Sequence, residues 1–288
     1  MNLLPPPTTA AAGWYPDPST GGVRYFDGRS WVGEPVTPAG FAATTPHPDL
    51  PLAAAVGALV VLVASLLAGK LALDAIAADW PLVADILVVA VVSYGPSIGW
   101  VWYVRRRWAG GSLAGLGFTM RWIDLAWGPL TWLAAVLVQA VAALVILALH
   151  IPFTSNIESG GPDGDRSYVI ALLVVAVVVA PVIEEVIFRG LILRGLLSRA
   201  PIAVAVIGQG ILFGAVHVDP VRGTGNVGLV IVLASVGAVL GGSAYLFRRL
   251  GPPMLAHAIL NGVALAIALS GALDHFDSPF GLLTVVGF

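Results

Sequence analysis

The sequence has no cysteine and very little charge. Across 288 residues the absence of Cys excludes disulfides, thiolate zinc sites and a cysteine nucleophile. Only 10% of the residues are charged, whereas an ordinary globular domain has about 25%. No strongly basic stretch favours nucleic acid as a partner. Because 58% of the residues are hydrophobic, the composition predicts that lipid solvates most of the chain.

The hydrophobic residues form successive runs, several of them long enough to cross a bilayer, which takes about 20 residues. They predict an all-α polytopic membrane protein with about seven transmembrane helices, near residues 52–73, 80–104, 123–149, 168–188, 202–218, 226–247 and 252–271. The fifth run is short. Small residues spaced as Gly237-xxx-Gly241 predict close helix packing.

Charges in the connections predict the topology in a cell membrane. The second, fourth and sixth runs are followed by basic residues, which are Arg105, Arg106, Arg107, Arg121, Arg194, Arg199, Arg248 and Arg249. The opposite connections are mainly acidic, with Asp74, Asp79, Glu158, Asp163, Asp165, Arg166, Asp219 and Arg222. The positive-inside rule therefore predicts a cytoplasmic N-terminus and a C-terminus outside.

The first 51 residues differ from the rest of the chain. Residues 1–12 are polar or small and are predicted to be disordered, and residues 34–51 read as a proline-rich linker. Residues 13–33 combine aromatic residues with turn formers, which predicts a tiny β-rich module. This module resembles a short GWYPDP-type domain of unknown function found in actinobacterial membrane proteins. The resemblance implies no chemistry, and we expect the module to dock a cytoplasmic partner.

The hydrophobic domain comprises residues 52–271, and a tail at residues 272–288 follows it. Three polar groups interrupt this domain. The groups lie at residues 184–189, at His217 and at residues 257–261. A charge near the bilayer centre costs about 2.5–3.5 kcal/mol, so such groups usually face an interior cavity and serve a function. The three groups therefore predict a polar active-site cavity inside the membrane.

The first group has a spacing that predicts a division of labour. Glu185 and Arg189 are four residues apart, which puts them on one helix face in the favourable order for an ion pair. Glu184 points about 100° away and is left to act as a base. Pro181 is expected to kink the helix just before the carboxylates. In the alternative interpretation, all three charges form a network that only sets helix packing.

The second and third groups add hydrogen-bonding side chains. His257 and Asn261 are four residues apart, so they can direct two donors at a single point. An oxyanion that develops from an amide carbonyl needs such an arrangement. His217, at the end of the fifth run, would by itself more often be structural. A functional role for His217 is favoured because the three polar groups lie in three separate apolar runs.

At these residues the sequence looks like the CPBP family of intramembrane proteases, which includes the CAAX prenyl endopeptidases and bacteriocin-immunity relatives. Its motifs EExxxR, FxxxH and HxxxN are all present in the family's order, as Glu184-Glu185-xxx-Arg189, Phe213-xxx-His217 and His257-xxx-Asn261. The resemblance covers about residues 165–265.

The resemblance implies hydrolysis of a peptide bond in a membrane-associated peptide or protein. Glu184 and His217 would activate the attacking water, and His257 with Asn261 would stabilise the oxyanion. Supporting roles would fall to Glu185, Arg189 and Phe213. Zinc could bind Glu184, His217 and His257 and leave a position for water. A metal-independent glutamate protease is equally compatible with the residues.

Two other classes of function remain open. The chain could be a catalytically idle membrane scaffold or immunity factor. It could also be a transporter, because buried charges also mark ion paths. A transporter often has similarly broken helices in its two halves, and no such pair is present here. The intact motifs favour the protease, which requires that Glu184, His217, His257 and Asn261 converge on one water-accessible pocket.

Overall fold

The computed structural model describes residues 13–16, 23–36, 50–76, 81–154 and 166–270, which fall into two units divided after residue 47. The predictions for residues 1–12, for most of the linker and for the tail at residues 272–288 lie outside the described residues.

The N-terminal unit is a small antiparallel sheet, as predicted. Its strands are β1 (Gly13–Pro16), β2 (Val23–Phe26) and β3 (Trp31–Val36), in the order β1-β2-β3. In the turn between β2 and β3, the Asp27 carboxylate accepts the backbone N–H groups of Arg29 and Ser30, each at 2.7 Å. The rings of Phe26 and Trp31 pack edge to face with centroids 5.5 Å apart. The last strand thus extends three residues beyond the predicted end of the module at residue 33.

The second unit is helical, as predicted. In the described residues its main helices are α1 (Leu52–Ile76), α2 (Leu82–Trp108), α3 (Asp124–Ala148), α4 (Arg166–Leu197), α5 (Ile202–Ala215), α6 (Asn226–Phe247) and α7 (Gly251–Leu269). Six of them are long and apolar enough to cross a membrane.

The exception is α5, so in the described residues the predicted helices comprise six candidate membrane spans and one shorter apolar helix. It has 14 residues and ends at Ala215, whereas the fifth apolar run was expected to continue to residue 218. At about 1.5 Å per residue it is about 21 Å long, which is less than the roughly 30 Å of a bilayer core. The apolar residues continue past the end of the helix into a turn. Composition alone therefore does not show where the helix ends.

The connections gather at two ends of the bundle. At one end, the Leu250 N–H donates to the Gly117 carbonyl at 2.8 Å, and the Arg194 guanidinium donates to the Gly115 carbonyl at 2.6 Å. These contacts bring the last turns of α4, which carry Arg194, and the arginine-containing connections after α2 and α6 to the same end. This grouping agrees with the predicted alternation of the connections.

At the other end, Lys70 of α1 forms an ion pair with Asp219 after α5, with an N–O distance of 3.1 Å. The Gly228 N–H donates to the Pro152 carbonyl at 3.0 Å, so the connection after α3 is also there. The short α5 and the turn that follows it therefore link the two ends of the bundle.

Helix α4 lies at the centre of the bundle, in contact with α1, α2, α5, α6 and α7. Its residues 185–193 are all buried. Two π-helical segments, Val175–Val179 and Val186–Ile192, lie on either side of the two glutamates. Pro181 lies in the interior of α4, two residues after the first segment, where it has no N–H to donate to the preceding turn. Such segments occur mostly as single turns inside α-helices, frequently at functional sites.

Close packing of α5 on α6 depends on glycine, as the spacing in α6 predicts. A Cβ on Gly237 would lie 2.8 Å from the Gly210 Cα, and one on Gly214 would lie 2.6 Å from the Val230 carbonyl oxygen. Both contacts are with the neighbouring backbone, so only glycine permits this separation between the helices.

A buried carboxylate at the start of α3 fixes the position of α7. Asp124 is fully buried, and one of its oxygens accepts the Arg249 Nε–H at 2.8 Å. The other oxygen accepts the Arg121 N–H at 2.8 Å. Because Arg249 lies in the turn just before α7, this ion pair holds the first residues of α7 against α3.

The glycine contact can be tested with Gly237→Ala. We expect it to lower the free energy of unfolding by about 1–3 kcal/mol, since α5 and α6 must separate. Thermal unfolding in detergent measures the change. Gly242→Ala is the matched control, because nothing lies within 4 Å of its added Cβ. Equal stability of the two variants would contradict the packing argument.

Candidate active site

A fully buried ion pair lies at the centre of the site. The Arg189 Nη1 donates to the Glu185 Oε1 at 2.7 Å, and both side chains are 0% exposed. The two residues are one turn apart on α4, as their spacing predicts. Arg189 also donates from Nη2 to the Gly237 carbonyl of α6 at 3.1 Å. Its guanidinium carbon lies 4.7 Å from the centre of the Phe213 ring of α5, a cation–π contact.

The Gly237 carbonyl has a second donor from α5. Gln209 is fully buried, and its Nε2 lies 2.7 Å from the Gly237 oxygen and 3.0 Å from the Val206 oxygen. An amide nitrogen carries two hydrogens, so both bonds can form together. Gln209 therefore helps to hold α5 against α6 next to the buried ion pair.

His257 of α7 joins the two glutamates. Its Nδ1 is 2.9 Å from the Glu185 Oε1, the same oxygen that Arg189 binds. Because an ionised carboxylate only accepts hydrogen bonds, the hydrogen must be on Nδ1. The other ring nitrogen, Nε2, is 3.8 Å from the Glu184 Oε2. Glu185 thus fixes the orientation of the ring, and the ring presents its second nitrogen to Glu184.

Glu184 lies on a different face of α4 from Glu185, as expected. Its side chain is 13% exposed, whereas that of Glu185 is 0% exposed. The Tyr94 hydroxyl of α2 donates to the Glu184 Oε1 at 2.7 Å. One carboxylate oxygen therefore binds a phenol, and the other faces His257. Among the described residues, His257 is the one basic side chain with a nitrogen within 4 Å of the Glu184 carboxylate.

His217 follows α5 and approaches the site from the side of Phe213. Its Nδ1 is 2.7 Å from the Phe213 carbonyl oxygen, so Nδ1 carries the hydrogen and Nε2 keeps a lone pair in the neutral ring. The Phe213 ring lies 5.0 Å from the His217 ring and 5.6 Å from the His257 ring, between centroids. Phe213 therefore packs against both histidines.

Asn261 lies one turn beyond His257 on α7. Its Nδ2 donates to the Ala176 carbonyl at 2.8 Å. Ala176 belongs to the first π-helical segment of α4. One of the two amide hydrogens is used in this bond, which leaves the other for a second acceptor. Asn261 and His257 together tie α7 to α4 at two points, Ala176 and Glu185.

The predicted zinc ligands are not grouped around one point in the described residues. Among the described residues, no three His, Asp or Glu side chains are grouped as they would be to hold a metal ion. The set of Glu184, His217 and His257 is therefore not assembled as ligands in this arrangement. The metalloprotease interpretation has no support from the geometry.

Three polar residues with a structural part in the helical unit were not predicted from the sequence. They are Tyr94, Gln209 and Asp124, each a polar side chain in or beside an apolar run. A signal for Tyr94 exists in the polar interruption Ser93-Tyr94-Gly95-Pro96-Ser97 within α2. Which helix such a residue faces cannot be read from the sequence, since Glu184 is 90 positions away.

Two family models match parts of the chain. Residues 166–263 match the family model of the type II CAAX prenyl endopeptidase Rce1-like proteins, and residues 12–46 match that of a protein of unknown function (DUF2510). No curated protein and no solved structure gives a significant match. The first match contains the three polar groups at residues 184–189, at His217 and at residues 257–261, and it does not include α2. Both predicted resemblances are confirmed, and the matched family is one of membrane-embedded proteases.

The contribution of Glu185 to the stability of the helical unit can be tested with Glu185→Ala. We expect a loss of about 3–5 kcal/mol in the free energy of unfolding, because Arg189 is left as an unpaired buried charge. Thermal unfolding in detergent measures it.

Lys70→Ala is the control for that experiment. It removes an ion pair whose lysine side chain is 50% exposed, and such pairs contribute about 0–1 kcal/mol. If Glu185→Ala were no less stable than Lys70→Ala, the buried pair would not hold the bundle together.

Proposed function

We propose that this chain is an intramembrane endopeptidase that hydrolyses a peptide bond in a membrane-associated peptide or protein. The observation that supports it best is the pairing of a partly exposed carboxylate, Glu184, with an oriented imidazole, His257, whose Nε2 is 3.8 Å away. Both lie inside a bundle of apolar helices. The match of residues 166–263 to a CAAX prenyl endopeptidase family supports the same chemistry.

In this proposal Glu184 is the general base. Its Oε2 takes a proton from a water molecule, whose oxygen then attacks the carbonyl carbon of the scissile bond. When the C–N bond breaks, the protonated Glu184 gives this proton to the nitrogen of the leaving amine. A positioned general base contributes about 10²–10⁴-fold to a rate. The neutral His217 ring has a lone pair on Nε2 that can accept the second hydrogen of this water.

The oxyanion is stabilised by donors on α7. The second amide hydrogen of Asn261 supplies one hydrogen bond. His257 supplies another from Nε2 when the ring is an imidazolium, since its Nδ1 hydrogen is already donated to Glu185. The Glu185 carboxylate then lies directly against the positive ring. Glu185 and Arg189 act through His257, so they position the site.

We propose the metal-independent form of this reaction. The candidate ligands are not grouped for a metal, whereas the Glu184 carboxylate already lies 3.8 Å from the His257 Nε2. The name of the matched family, CAAX prenyl endopeptidase, describes cleavage of prenylated proteins. For this chain we propose the broader class of membrane-associated peptides and proteins.

The test is the removal of one proton acceptor with little change of shape. A host strain that lacks the chain is complemented with wild type or with Glu184→Gln, and the new N-termini in membrane proteins are compared by mass spectrometry. We expect cleavage products with wild type and at least about a hundredfold loss with Glu184→Gln. The variant should still fold and insert.

Asp85→Asn is the matched control, because it makes the same carboxylate-to-amide change near the start of α2. It should give the wild-type set of products. Identical products from wild type and Glu184→Gln would refute the protease and favour an idle scaffold.

We also propose that the arginine-rich end of the bundle is cytoplasmic, with the N-terminus inside and the C-terminus outside. The module at residues 13–33 would then be available to a cytoplasmic partner. Because the chain has no cysteine, single cysteines report the orientation directly.

Two exposed positions at opposite ends of the bundle serve for this test, Ser112 and Thr224. We expect Thr224→Cys in intact cells to react with an impermeant maleimide, and Ser112→Cys to react only after lysis. The wild-type chain is the unlabelled control. The reverse pattern of labelling would invert the topology.

A further inference from the structure

The matched family region does not contain all of the residues that touch the proposed base. Helix α2 precedes the region that begins at residue 166, yet its Tyr94 hydroxyl is 2.7 Å from the Glu184 Oε1. A carboxylate accepts this bond and the phenol donates it. Charge-assisted O–H to carboxylate bonds are short and roughly twice as strong as neutral ones.

The backbone at Tyr94 is held firmly by packing against α1. Ser93 and Ser97, on either side of Tyr94, are 4% and 2% exposed. A Cβ on Gly69 of α1 would lie 2.5 Å from the Ser93 Oγ, so the two helices are in close contact beside Tyr94. With the backbone placed by this packing, two side-chain torsions set the position of the Tyr94 hydroxyl.

The hydrogen bond decides which oxygen of Glu184 can act. The terminal torsion of a glutamate is soft, so a free carboxylate exchanges its two oxygens easily. Here Oε1 accepts the Tyr94 hydroxyl, and Oε2 is the oxygen that faces the His257 Nε2 at 3.8 Å. With Oε1 occupied, Oε2 is the oxygen left to take the proton from water in the proposed reaction.

We propose that Tyr94 is a positioning residue for the Glu184 base. It acts through Glu184, to which it donates a hydrogen bond, and it adds α2 to the elements that build the site. This inference rests on the proposed function, since it names a further residue for the same reaction.

The experiment uses the full-length chain in proteoliposomes, with a peptide that contains a cleavage site identified in the host-membrane comparison. Tyr94→Phe removes only the hydroxyl. We expect kcat to fall by roughly ten- to a hundredfold, as loss of a hydrogen bond to a charged group predicts, with KM within about twofold. Tyr103→Phe is the control, because Tyr103 is on the same helix, is exposed, and packs its ring against Trp100 and Trp108.

A double-mutant cycle separates positioning from general helix stability. Tyr94→Phe should lower the unfolding midpoint by about 2–4 °C in the wild-type background. The same change should have little effect in a Glu184→Ala background, where the acceptor is gone.

The outcomes distinguish this inference from the proposed function. Suppose that wild type cleaves and that Tyr94→Phe has the wild-type kcat at a temperature well below its unfolding midpoint. Tyr94 then only links two helices, and this inference is overturned while the proposed function stands. If the shift in midpoint persists in the Glu184→Ala background, the hydroxyl does not act through Glu184. If wild type cleaves no membrane protein, the proposed function fails, and the positioning role fails with it.

Discussion

The structure depends on one ion pair that is entirely out of contact with solvent and lipid. Glu185 and Arg189 are both fully buried in α4, and their remaining hydrogen bonds end on other helices. Glu185 accepts from His257 of α7, and Arg189 donates to the Gly237 carbonyl of α6. Breaking such a pair leaves an uncompensated charge and costs about 3–5 kcal/mol. The pair therefore draws the three helices together and at the same time orients the imidazole that faces Glu184.

Helix α7 is fixed along its length by contacts of different kinds. At its start, the turn before it is held by the buried Asp124 through Arg249. About two turns later His257 is bound to Glu185, and one turn further Asn261 donates to the Ala176 carbonyl in a π-helical segment. Because a π-helical turn shifts the register of a helix, it changes which carbonyls and side chains face α7. The backbone of α4 thus helps to set the geometry of the proposed catalytic groups.

Much of the architecture could be predicted from the sequence, because apolar length and charge placement are local signals. The β-rich module and the helical membrane domain are examples, and the Glu185–Arg189 pair follows from a spacing of four residues. The end of α5 could not be predicted, since the apolar residues continue into a turn. Tyr94 and the Asp124–Arg249 pair were missed because their partners are 90 and 125 positions away, and only the packing of helices brings them together.

The most direct test of the account is the source of the oxygen in the product. The purified chain in proteoliposomes, treated with a metal chelator, is given its identified peptide in water enriched in ¹⁸O. We predict one ¹⁸O atom in each new carboxyl group, at an undiminished rate, and no labelled product from Glu184→Gln. Labelled product from Glu184→Gln at the wild-type rate, or loss of wild-type cleavage on chelation with recovery on adding metal, would contradict the account.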